Sequence, residues 1–105
     1  MSNADIQLAQ GAIVEEEIHL TLEELCQACQ ASEEYVIAWV FVGALEPIGA
    51  SPRDWRFTGP SLRRAKLALW LSRDLEINPP GVALALDLFD EIAALEARLE
   101  RLGSR

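Results

Sequence analysis

The stretch LTLEELCQACQASEEYVIAWVFVG, residues 20–43, contains two helix starts and the short link between them, and no other part of the chain restricts the fold as much. Thr21 followed three residues later by Glu24 is a capping box, in which a hydroxyl and a carboxylate each satisfy a backbone N–H of the first turn. Ser32 followed by Glu33 and Glu34 is a second start, a hydroxyl cap with negative charge placed at the positive end of the helix. The first helix sets Leu22, Leu25, Cys26 and Cys29 on one side. The second is expected to run to Val42 and to stop at Gly43. Gln30, Ala31 and Ser32 form a tight connection, so the pair reads as a helix-turn-helix.

The flanking segments extend this pattern. Ile18, His19 and Leu20 alternate as a short strand does, with Ile18 and Leu20 on one face. Pro47, Gly49 and Pro52 break helix after Gly43, and residues 45–48 and 55–57 are expected to pair as a small hairpin wing. A third helix starts near Pro60, with Leu62, Ala65, Ala68 and Leu69 on its apolar face. NPPG interrupts it, and residues 82–102 form a long last helix with two apolar stripes. Leu88, Ile92, Leu95, Leu99 and Leu102 follow a heptad spacing flanked by Glu96, Arg98, Glu100 and Arg101, which suits self-association or docking. Val82, Leu86 and Phe89 lie on another face and are expected to tie the helix to the domain before it. The alternative is that both stripes are buried within one monomer. Residues 1–12 are expected to be a flexible terminus, 13–77 a winged-helix domain, and 79–103 the helix for dimerisation or docking.

Charge decides what the helix-turn-helix can touch. Residues 1–52 contain no Lys or Arg, but hold Asp5, Glu15, Glu16, Glu17, Glu23, Glu24, Glu33, Glu34 and Glu46. All nine basic residues fall in the remaining half against eight acids, so the first half carries −9 and the second +1 of the formal net charge of −8. Cationic contacts to phosphate supply the bulk of DNA affinity, and a reading helix entered by two glutamates lacks them. Arg53, Arg56, Arg63, Arg64, Lys66 and Arg73 could reach a DNA backbone only beside those acids. Nucleic acid is therefore disfavoured as a partner, and a basic protein surface is favoured. No run of apolar residues is long enough to span a membrane, and no secretory signal pattern opens the chain, so cytoplasm is the expected compartment.

The residue types that usually carry catalysis are sparse. Cys26 and Cys29 form a single C-x-x-C with no second ligand pair, and read as two small buried hydrophobes. His19 is the only histidine and reads as solvent-facing on its strand. No phosphate loop, nucleophile elbow or spaced acid–base pair is present, so neither an enzyme nor a cofactor or metal site is expected. Trp39, Trp55 and Trp70 belong to different elements and read as packing residues, with Trp55 in the wing the best candidate for an exposed anchor.

A strand, two short helices joined tightly, a hairpin wing, a third helix and a long last helix together resemble a mostly α, MerR-type winged helix. More narrowly, IHLTLEELCQACQASEE, the GALEP exit turn, WRF, and LEINPPGVALALDLFDEIAALEARL resemble the CbpM-like chaperone modulators, over residues 17–102. GASPRDW in the wing departs from that family in length and composition. The resemblance implies a protein that binds the J-domain of a DnaJ/CbpA-like co-chaperone and blocks its contact with DnaK; a MerR-like regulator binding DNA is the alternative. A J-domain carries a basic helix that docks on DnaK, so an inhibitor should present carboxylates to it, with apolar anchors supplying affinity. The candidates are Glu23, Glu24, Glu33 and Glu34 on the first two helices, and Asp87, Asp90 and Glu91 on the last. Each of these alone also fits an ordinary solvated helix face.

Overall fold

The structure, a computed structural model, describes residues 18–103 and is built from four helices. These are α1 (Leu22–Cys29), α2 (Glu33–Phe41), α3 (Gly59–Arg73) and α4 (Pro79–Gly103). The expected loose terminus, together with Glu15, Glu16 and Glu17, lies outside the described residues.

Both helix starts form as their side chains dictate. Thr21 and Glu24 make the reciprocal capping box of α1, and the Ser32 hydroxyl accepts from the Tyr35 N–H at 3.4 Å to cap α2. Between them Gln30 adopts a left-handed conformation (φ 59°), and its N–H and that of Ala31 both reach the Cys26 carbonyl. α2 ends one residue earlier than the sequence suggests, with Val42 as its cap residue. Gly43 follows at φ 82°, the Gly43 N–H donates to Val40 O at 3.0 Å, and the Ala44 N–H donates to Trp39 O at 2.8 Å. This pair of bonds is a Schellman closure, and a Cβ-bearing residue at position 43 would be strained.

The hairpin wing does not form. Two isolated antiparallel bridges stand in its place, Leu20 with Phe57 and Ile48 with Arg56. Each bridge is a full exchange of backbone hydrogen bonds, at 2.7–2.8 Å for the first and 2.8–2.9 Å for the second. Arg56 and Phe57 turn their backbone groups to opposite sides, as neighbours in an extended chain must, so residues 45–48 and 55–57 share one pair only. Toward the tip, Asp54 N bonds Ser51 O at 2.8 Å and the Ser51 hydroxyl donates to Asp54 at 3.1 Å. Those contacts close a turn where a ladder would need the same groups. At Gly49 (φ 121°) an added Cβ would stand 2.7 Å from Asp54 O, so the return of the chain requires glycine there. The short strand expected at residues 18–20 likewise reduces to Leu20.

The core gathers Leu22, Leu25 and Cys29 of α1, Val36 and Trp39 of α2, Leu45, Trp55 and Phe57 of the connection, and Ala65, Ala68, Leu69 and Leu71 of α3. Leu62 packs at its margin. Trp55 and Phe57, two apart in an extended segment and so on one face, meet edge-to-face with ring centroids 6.1 Å apart. Trp39 and Trp55 are thus packing residues as expected, so Trp55 is not available as an exposed anchor; the exposed tryptophan is Trp70, on α3.

α4 starts at the two prolines, not after them. Their missing N–H groups cost nothing in a first turn, and the Asn78 side chain accepts from the Gly81 N–H at 2.9 Å as cap. A Cβ at Gly81 would stand 2.6 Å from the Ile77 side chain, so glycine lets that joint close. Of the stripe assigned to the domain, Val82 and Leu86 are fully buried against α2 and α3, whereas Phe89 is 40% exposed. Each fully buried side chain contributes on the order of 1.5–3 kcal/mol. The heptad seam is open along its length, with Leu88, Ile92, Leu95, Leu99 and Leu102 between 46% and 68% exposed. Among the described residues the two stripes thus differ, one buried at Val82 and Leu86 and the other open.

Candidate partner-binding surface

The acidic side chains singled out above sit on three helices and are all exposed. Glu23 and Glu24 occupy the first turn of α1, Glu33 and Glu34 that of α2, while Asp87, Asp90 and Glu91 lie midway along α4. Glu24 has a structural task as well. Its carboxylate accepts the Thr21 N–H at 2.8 Å, and that backbone bond, with the Thr21 hydroxyl beside it, holds the Glu24 carboxyl below its ordinary value. A hydrogen bond to the ionised form favours that form.

Asp87 and Asp90 are drawn together by one cation. Arg64 Nη1 donates to Asp90 Oδ2 at 2.6 Å, Nη2 stands 3.8 Å from Asp87 Oδ1, and Nε donates to the Ala44 carbonyl at 3.0 Å. A single planar guanidinium thus clasps α3, the exit turn of α2 and α4, a task its fork geometry suits and an ammonium's does not. The surrounding depression of about 360 Å³ is also bordered by Glu46, Pro60 and Ser61. Two of the seven candidate acids are therefore already matched by a cation of the same chain, which weakens their pull on a partner. By charge and position alone, Arg64 falls among the cations within reach of a DNA backbone. Its partners lie 20 and 26 residues away, beyond any local pattern.

The other cations do not repair the reading helix. Arg56 donates to the Trp55 carbonyl at 2.7 Å and Arg73 to that of Gln30 at 3.3 Å. Among the described residues none of the cations precedes Arg53 in the chain, so α1 and α2 carry only acids.

The outer face of α2 is less enclosed than its composition suggests. Within residues 36–42, Val36 and Trp39 are in the core, and Ile37, Ala38, Val40 and Val42 are partly buried. Phe41 is 81% exposed and Tyr35 44%. Tyr35 leans on Trp39, with ring centroids 5.7 Å apart. Beside it lies a depression of about 310 Å³ lined by Glu34, Tyr35, Ala38 and Pro79. The segment is apolar on every side, so periodicity alone could not show which residue points outward.

Neither thiol sits in surroundings that favour the thiolate. Cys29 is buried and Cys26 partly so, both unpaired. Burial pushes the Cys26 thiol up to about 11, and Cys29 rises for the same first cause. A nucleophilic or metal-binding cysteine needs the opposite shift. His19 is exposed, though in no strand. Among the described residues no three His, Cys, Asp or Glu side chains converge as metal ligands. None of the described helices is long and apolar enough to cross a membrane.

Residues 20–104 match the family model for MerR HTH family regulatory proteins. The chain is 46% identical over 96 residues to the chaperone modulatory protein CbpM of Coxiella burnetii, a match covering 91% of each chain. It is 36% identical over 88 residues to the protein of the same name from Pseudomonas putida, covering 84% of this chain and 87% of that one. The corresponding protein of Pseudomonas entomophila is 35% identical over the same length.

Proposed function

The chain belongs to the CbpM chaperone modulators within the MerR helix-turn-helix family, and from that premise we propose that it binds the J-domain of a DnaJ/CbpA-like co-chaperone in the cytoplasm and inhibits its interaction with DnaK. The observation that carries this reading is the one-sided charge of a helix-turn-helix whose second helix carries two acids and no cation. Acids on α1 and α2 attract a basic J-domain helix from a distance and repel phosphate. Glu23, Glu33, Glu34 and Glu91 meet the partner directly; Asp87 and Asp90 act only where a partner cation competes with Arg64. The work divides along the chain, with the body of residues 13–77 and the base of α4 meeting the co-chaperone. Leu88, Ile92, Leu95, Leu99 and Leu102 pair two copies into a homodimer. The protein regulates and does not catalyse.

Calorimetric titration against an isolated J-domain, alongside a mobility-shift assay with duplex DNA, tests the reading. The expected result is saturable J-domain binding that weakens as salt rises, with no shifted DNA. Tight DNA binding with no J-domain heat would replace it by a transcriptional regulator.

A further inference from the structure

Phe41 is the most exposed large apolar side chain among the described residues, and it stands on a helix with no cation. Glu34, Ala38 and Phe41 follow one another at i, i+4 and i+7, so they form a single row along the outer face of α2. Tyr35 and Pro79 flank that row and enclose the 310 Å³ depression over Ala38. The depression is lined by Glu34, Tyr35, Ala38 and Pro79, with Phe41 at helical spacing beyond Ala38 and Glu33 beside Glu34 in the first turn. Trp70 is as exposed as Tyr35, but its neighbours at helical spacing on α3 are Lys66 and Arg73. The two exposed aromatic patches therefore differ in the sign of the charge around them.

We propose that the outer face of α2 is the docking groove for a cationic amphipathic helix, with Phe41 as its apolar anchor and Glu33 and Glu34 pairing the partner's Lys or Arg side chains. This rests on the proposed binding of a basic J-domain helix and places that helix on the molecule. Charge complementarity selects the occupant. The same face of a second copy would bring no cation to Glu33 and Glu34, whereas a helix with basic residues beside an apolar stripe meets each feature with its complement. Exposed apolar surface of this kind supplies affinity once water is displaced, and the acids steer the encounter.

Two arms test the groove separately from the function. In the first, the isotopically labelled full chain is titrated with a synthetic Leu/Lys amphipathic helical peptide and followed by amide NMR. Perturbations should concentrate at Glu34, Tyr35, Ala38 and Phe41, and a Leu/Glu peptide of the same pattern should cause none. Absence of binding, or perturbations centred on α4, would overturn the groove whatever the true partner is. In the second arm, Phe41→Ala and Glu34→Lys are titrated against the isolated J-domain. Each should weaken binding by about 10- to 100-fold, and Phe41, being exposed, can be truncated without unfolding the chain. A wild type that binds the J-domain while Phe41→Ala binds equally well would overturn the groove and leave the function standing. A wild type that ignores the J-domain but takes the cationic peptide at α2 would do the reverse.

Discussion

The chain exposes two apolar helix faces, and the charges that border them make opposite demands. The outer face of α2 ends in Glu33 and Glu34 with no cation on the helix, while the distal half of α4 is flanked by Glu96, Arg98, Glu100 and Arg101. A face bordered by one sign of charge is a poor match for its own copy and a good one for an oppositely charged partner. A face bordered by both signs can be laid against itself, each acid beside a base of the other copy. Equal apolarity thus points to different occupants, and the difference rests on six side chains.

The contrast also runs within α4, and the largest expected effect tests it there. Leu86→Ala removes a fully buried side chain and should cost about 3 kcal/mol in urea unfolding. Leu95→Ala, in protein dilute enough to be monomeric, should cost no more than about 0.5 kcal/mol. Similar losses from both would mean that the distal seam packs on something within the chain. Next in size, Leu95→Glu places a carboxylate in the proposed seam and should weaken self-association by roughly two orders of magnitude, since a buried unpaired charge is costly. Light scattering should report a dimer for the wild type and a monomer for the variant; a monomeric wild type at high concentration would assign the seam to another partner. Arg64→Met should loosen the junction between the two regions by about 1 kcal/mol or less, because its carboxylate partners are mostly exposed. The effect should appear as faster hydrogen exchange where α4 meets α3, with the body intact.

The smallest effect concerns the acidic end. Glu24 has a lowered folded-state pKa, so its contribution to the α1 cap is present above the ordinary carboxylate range and is lost as pH falls through the lowered value. Helicity followed against pH should show this loss, and Glu24→Gln should flatten that part of the curve.

Local chemistry accounts for what could be read directly from the residues. Thr21 with Glu24, Ser32 with its glutamates, and the glycine at 43 act on groups three or four residues away, so the helix-turn-helix was legible to within a residue. The wing was not, because Pro47, Gly49 and Pro52 signal a turn without saying how many pairs flank it. The exposure of Trp70 and Phe41 was not legible, for one shared reason. Composition tells that a segment is apolar, but which side meets the core depends on elements far along the chain. Arg64 is the extreme case, since its three partners lie on the far side of a loop and a helix from it. The family resemblance supplied the partner class that no spacing in the chain encodes.

The open seam also has a consequence for timing. Val82 and Leu86 fasten the first turns of α4 to the body, while every residue from Asp87 to Gly103 is exposed. A solitary helical stretch of that length is marginal in water. Amide protons near the anchored end should then keep the slow clock of global unfolding, while those beyond Asp90 run on a faster one set by fraying. Covering the seam would bring the two clocks toward agreement, so one helix would record along its own length whether it stands alone.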